Sequence, residues 1–120
     1  MKKFLAIYIG TAQAFEKSNW NARPEAQRRQ IEQEGMRAWA EWGARNQKSI
    51  LVQGGPLGKT KRIASTGISD IKNTMTGYVV VQAESHEAAA RMFENHPHFA
   101  IFPGDSVEVM ECTEIPGLKG

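Results

Sequence analysis

Two runs of this 120-residue chain are apolar at consecutive positions: FLAIYI, Phe4 to Ile9, and GYVVV, the start of GYVVVQAE from Gly77. Both are rich in β-formers, and successive side chains of a strand point to opposite faces of its sheet. Phe4, Ala6 and Tyr8 therefore make one face of the first strand and Leu5, Ile7 and Ile9 the other, while Val79 and Val81 oppose Tyr78 and Val80. A sheet with one face in water shows polar residues at alternate positions, and these strands do not. Each needs cover on both sides: helices of its own chain on one, and on the other a second copy packed sheet to sheet.

The segments between them supply the helices. TAQAFEKSNWNA reads as an irregular loop, after which Arg23-Pro24 opens a helix, with Pro24 at its first position and Glu25 beside the positive end of the dipole. Ile31, Gly35, Ala38, Trp39 and Trp42 fall at helical spacing as its buried stripe, and the helix ends near Asn46 to Lys48. SILVQ reads as a second strand stopped by Gly54-Gly55-Pro56. Residues 54–76 form an insert or mobile segment, in which KRIAST and GISDIKN make a small hairpin about Thr66-Gly67. Ser85 caps the helix after the Gly77 strand, with Ala89, Met92 and Phe93 facing inward and Pro97 closing it if Asn95 has not already done so; DSVEVMECTE is the last strand. The order β-α-β-insert-β-α-β is that of an α+β, ferredoxin-like domain: βαββαβ, an antiparallel sheet with two helices on one face. The whole chain, 1–120, makes one such domain.

Composition excludes several classes. Apolar residues are 41% and charged residues 23%, as in an ordinary globular chain, and a net charge of +2 is too small to imply a nucleic-acid partner. No stretch approaches the roughly 20 apolar residues of a membrane span. MKKFLAIYIGTAQA outlines a secretory signal, but its apolar run, Phe4 to Ile9, sits at or below the lower limit for such a core. Cys112 is the sole cysteine, which fits a reducing compartment, and a cytoplasmic location is expected.

GGPLGKT, residues 54–60, imitates a phosphate-binding loop, but only three residues separate Gly54 from Gly58 where the motif needs four. No helix follows Lys59 to complete an anion cradle, so no nucleotide or other cofactor is expected. Lys59, Lys61 and Arg62, like Arg28 and Arg29, read as solvated surface; Trp39 and Trp42 read as core; Trp20 either lines a pocket mouth or caps a sheet edge. The chemistry-bearing stretch is ENHPHFAIFPGD, with His96 and His98 on either side of Pro97. Such a pair can begin a metal site if Glu94, Asp105 or Glu108 converges on it. It can supply a general acid or base, with Asp105 or Asp70 orienting the ring. Or it can cap the helix end and bond backbone. His86, in a helical first turn, reads as exposed.

LVQGGPL, GYVVVQAESHEAAARMF, HPHF and SVEVMEC, in that order and spacing, resemble YCII-related proteins and the related DGPF-domain proteins. The resemblance implies a dimeric α/β-barrel with a pocket between sheet and helices. Some relatives are lyases that remove chloride from a chlorinated hydroxyquinone, with a His-Asp pair as the suggested machinery. Here the family's histidine falls near Gln27, its Asp-Pro turn becomes His96-Pro97, and Ser65 to Ile68, STGI, stands in place of the DGPF signature. Both members of the pair are replaced, so that activity does not transfer.

The expectation is a homodimer with a small-molecule pocket, and proton-transfer chemistry at His96 or His98 of the kind a lyase or isomerase applies to a cyclic or aromatic metabolite. The alternative is a non-catalytic dimeric binding domain. A metal-dependent enzyme of the same fold is a third reading. The two-faced strands predict a light-scattering mass of two chains at micromolar concentration; the mass of one chain would overturn the sheet-to-sheet dimer.

Overall fold

The computed structural model describes residues 1–117. Its main sheet takes β1 (Lys2–Ile9), β2 (Ile50–Pro56), β5 (Met75–Ala83) and β6 (Ser106–Glu111), in the spatial order β2-β5-β1-β6. Every neighbouring pair is antiparallel. This is the ferredoxin-like order, and β1 and β5, the two strands apolar on both faces, hold its centre. The run that outlines a signal core is thus a central strand.

The helices α2 (Glu25–Arg45) and α3 (His86–Arg91) pack on one sheet face. There Phe4, Ala6, Tyr8, Val79 and Val81 meet Trp42 of α2 and Ala89 of α3, with Phe93 just beyond. Phe4 and Val81 have no exposed surface, and each such burial contributes about 1.5–3 kcal/mol. The other face carries Leu5, Tyr78, Val80, Val52 and Met110, in register across four strands. Val52 and Met110 remain 47% and 41% exposed there, the apolar surface that the two-faced pattern anticipates.

Three local expectations are corrected. The segment after Gly10 is not an irregular loop: Thr11 accepts a hydrogen bond from Ala14 N–H at 3.0 Å and starts α1 (Ala12–Lys17), followed by a 3-10 turn, Trp20–Ala22. Pro24 is the residue before α2, one position earlier than expected. Of the two residues expected to end the helix after Ser85, Asn95 and Pro97, Pro97 is not the one. The chain after α3 loosens to Asn95, at φ 56°, and Pro97 then opens α4 (Pro97–Ala100) from its first position.

Gly54-Gly55-Pro56 does not stop the second strand, which runs through all three with an irregular register against β5. Gly54 sits at φ +64°, and a Cβ there would collide with the Tyr78 carbonyl. Beyond it, β3 (Thr60–Ala64) and β4 (Gly67–Ile71) form a separate hairpin with Ser65-Thr66 as its turn. The hairpin projects: the radius of gyration is 16.6 Å, against about 14 Å for a compact chain of this length.

Gly54→Ala should destabilise the fold by about 2 kcal/mol or more, because both backbone conformation and space forbid the methyl group. Gly58→Ala, with open space around the position, should stay within about 0.5 kcal/mol. Urea denaturation of the two variants against the parent checks both.

Candidate active site

Behind the sheet centre, between α2, β2 and the segment after α4, lies a cavity of about 400 Å³. Tyr8, Trp39, Trp42 and Phe102 supply its aromatic wall, and Gly54 and Gly55 of β2 form a bare strip of backbone beside them. His98 is its imidazole. Among the described residues that line it there is no Asp, Glu, Lys or Arg. A wider hollow of about 890 Å³ at the base of the hairpin is lined by Lys59, Lys61, Lys72 and Asp70 but holds no histidine.

Close packing against glycine builds the wall. A Cβ on Gly35 would fall within the ring of Phe102, so this bare turn of α2 lets that ring lie across the helix. A Cβ on Gly104 would strike His98, both carbonyl and ring. The imidazole is thereby wedged between Gly104 and the end of β1.

His98 is 8% exposed, and its Nε2 lies 2.7 Å from the Ile9 carbonyl. A carbonyl only accepts, so Nε2 carries the hydrogen and Nδ1 holds the lone pair. Among the described residues Nδ1 has no bonding partner, and no buried side-chain nitrogen or oxygen lacks one; Nδ1 is therefore open to what enters from the surface. His96 is fully buried. Its ring meets Trp39 edge-on at 4.5 Å between centroids, Trp42 at 4.8 Å and Tyr8 at 5.1 Å. His96 Nδ1 accepts from the His98 backbone N–H at 3.0 Å, which makes it the cap of α4, and Nε2 lies 3.5 Å from the Tyr8 hydroxyl. Burial, reinforced by neighbouring His98, pushes the His96 pKa down to about 4. Burial raises that of Tyr8 well above the phenol range, so its hydroxyl keeps its proton.

The expected carboxylate partners are elsewhere. Asp105 accepts from Thr11 Oγ1 at 3.4 Å and Ser106 Oγ at 2.7 Å; only its backbone N–H reaches the Ile9 carbonyl, at 2.9 Å. Asp70 pairs with Lys61 across the hairpin at 2.8 Å, both exposed. Neither carboxylate bonds an imidazole, and the Ile9 carbonyl takes the orienting role instead. Glu94 pairs with Arg91, and Glu108 stands opposite Ile7 on the other sheet face. Among the described residues no three His, Cys, Asp or Glu side chains converge as a metal site. Gln27 is exposed in the first turn of α2, and His86, though exposed, donates from Nε2 to the Val109 carbonyl at 2.7 Å. Tyr8 and Trp39 are not visible in the sequence as site residues, because strand and helix periodicity marks both simply as core. The small residues against which the wall packs, Gly35 and Gly104, are the one signal available.

Fold and site together define an α+β, ferredoxin-like protein with an aromatic cavity lined by one imidazole and, among the described residues, by no charged side chain. No family model matches the chain, and no curated protein does. It is similar in structure to 5-chloro-2-hydroxyhydroquinone dehydrochlorinase (TftG) from Burkholderia phenoliruptrix AC1100, solved in complex with 2,5-dihydroxybenzoquinone. The likeness has a TM-score of 0.53 at 20% identity, covering 92% of this chain and 93% of that one, and it establishes the fold. Among the described residues no helix is long and apolar enough to cross a membrane.

The His96 pKa gives a sign to the pH dependence of stability. The ring is held neutral to about pH 4 when folded, whereas an unfolded histidine takes up its proton near 6.5. The unfolded state binds the extra proton between those limits, so stability falls as pH drops from 6.5 to 4, by up to about 1.4 kcal/mol per pH unit. Denaturation midpoints across that range should show a shallower decline in His96→Gln; an identical slope would refute the assignment.

Proposed function

We propose that the chain is a cofactor-independent lyase or isomerase acting on a cyclic or aromatic small molecule, with His98 as general base. One observation carries this reading: the His98 ring is locked by its Nε2–H on the Ile9 carbonyl and leaves Nδ1 unpartnered beside an aromatic cavity. A positioned imidazole with a free lone pair is the commonest proton acceptor in catalysis. The cavity volume falls within the usual range for small-molecule sites. TftG, whose fold is similar, acts on a chlorinated hydroxyquinol and was solved with a quinone bound. Kinship with the YCII-related and DGPF-domain proteins, a homodimer through the Leu5–Val80 face and a cytoplasmic location belong to the same proposal.

The second reading, a dimeric binding domain without catalysis, draws support from the missing carboxylate: among the described residues no acid bonds either imidazole. A thermal-shift screen of neutral hydroxylated and oxo ring compounds, followed by turnover assays on the hits, tests the choice. His98→Asn should keep ligand binding and lose roughly 10²–10⁴-fold in turnover. Ligands that bind without turnover in the parent protein would favour the binding domain.

A further inference from the structure

We propose that Tyr8 is the oxygen-binding residue of this cavity, with buried His96 as its positioning residue, and that the pair selects uncharged, flat ring compounds bearing phenol, enol or carbonyl oxygens. The inference rests on the aromatic cavity being the ligand site, and goes beyond it by fixing which polar groups the ligand must present.

Hydrogen-bond polarity in the site is set from the backbone at both ends. At one end stands the His98 N–H, which can only donate, so His96 Nδ1 is an acceptor. A neutral imidazole with a bare Nδ1 carries its hydrogen on Nε2, which faces the Tyr8 hydroxyl oxygen. That oxygen is thereby an acceptor, and the hydroxyl hydrogen of Tyr8 remains for the cavity that Tyr8 lines. At the other end the Ile9 carbonyl, which can only accept, holds the hydrogen of His98 on Nε2 and leaves Nδ1 bare. The cavity therefore offers one donor and one acceptor on rings whose centroids are 5.3 Å apart. The donor keeps its sense at ordinary pH, because burial keeps His96 neutral down to about pH 4 and keeps the Tyr8 proton in place.

The walls complete the selection. Trp39, 4.9 Å from the Tyr8 ring, and Phe102, 6.1 Å from Trp39, favour a flat ring. With no charged side chain in the lining, an entering carboxylate or phosphate would give up its hydration without a counter-ion. In the reaction a substrate O–H or C–H bond breaks and its proton bonds to His98 Nδ1. The electron pair left behind moves onto the ring oxygen held by the Tyr8 hydroxyl, which stabilises the developing charge. The proton returns to another atom of the same ring system, and no oxidant or reductant takes part.

The test is an NMR titration of the ¹⁵N-histidine-labelled protein near pH 7 with hydroquinone, catechol, toluene and 2,5-dihydroxybenzoate. In the free protein both imidazoles should show Nε2–H tautomers that persist to pH 5 for His96; a protonated Nδ1 on His96 would overturn the relay directly. The two diols should bind more tightly than toluene and the benzoate. Tyr8→Phe should weaken the diols roughly five- to tenfold while leaving toluene unchanged. His96→Gln should erase the preference for diols over toluene with toluene binding intact, an effect that general loss of structure does not produce. If no probe perturbs cavity resonances, the ligand-site reading fails and takes this inference with it. If diols bind the parent and Tyr8→Phe equally well, only the role of Tyr8 is refuted.

Discussion

The contact on which the site depends is the one between His96 Nδ1 and the backbone N–H of His98. The helix it starts, Pro97–Ala100, is a single turn, far below the length at which a helix holds itself. Its first N–H groups need an acceptor, and here a side chain with no exposed surface provides it. Ser, Thr, Asp or Asn ordinarily fill that position. An aspartate would cap equally well but would bring a charge into a box of tryptophan, tyrosine and phenylalanine rings. An imidazole caps while neutral, and it has a second nitrogen on the opposite edge. Histidine here therefore holds the turn and places a hydrogen-bond donor opposite the Tyr8 hydroxyl.

The same economy of space governs the cavity wall. Phe102 can lie across α2 only because residue 35 has no side chain, and His98 can sit against the end of β1 only because residue 104 has none. Gly54 in turn lets β2 approach the Tyr78 carbonyl and leaves open backbone where side chains would otherwise fill the cavity. These positions couple fold to site. The glycine that satisfies a backbone constraint in β2 is also the one that keeps room beside the aromatic wall.

The sheet is legible in the sequence because a short β-forming run with apolar residues on both faces suits a central strand far better than an edge or a loop. FLAIYI and GYVVV are indeed the two central strands. Ser85 announces its helix in the same way, and its hydroxyl does accept from the Ala88 N–H. Thr11 carries a cap signal as good, but the helix it starts has only six residues, too few to show a helical period. Pro97 is ambiguous because proline marks both the end of one helix and the start of the next, and only the left-handed turn at Asn95 decides between them. Within the site, His98 is visible as a residue but its partner is not. A carboxylate can be sought by letter, whereas a backbone carbonyl such as that of Ile9 belongs to every residue. Tyr8 and Trp39 are hidden for a related reason: periodicity reports which face a residue occupies, not whether that face is filled.

If His98 is the general base proposed above, the absence of a carboxylate behind it among the described residues constrains the chemistry more than its presence would have. An imidazole that takes up a proton at Nδ1 becomes a cation, and here only the dipole of the Ile9 carbonyl, already shared with the Asp105 N–H, faces the opposite nitrogen. The surrounding rings offer little solvation, so every unit of charge the site separates is costly. Proton transfer is efficient when donor and acceptor are close in pKa, and an imidazole is in general a poor match for an unactivated C–H bond. It is a better match for a phenol, an enol or a carbon flanked by carbonyls, whose conjugate bases spread their charge over oxygen. The Tyr8 hydroxyl, held in its donor sense by His96, supplies the complementary half by stabilising that oxygen as His98 becomes positive. Charge then develops as a neighbouring pair, cation on one ring and oxyanion beside the other, in a cavity whose own lining brings no net charge to the balance.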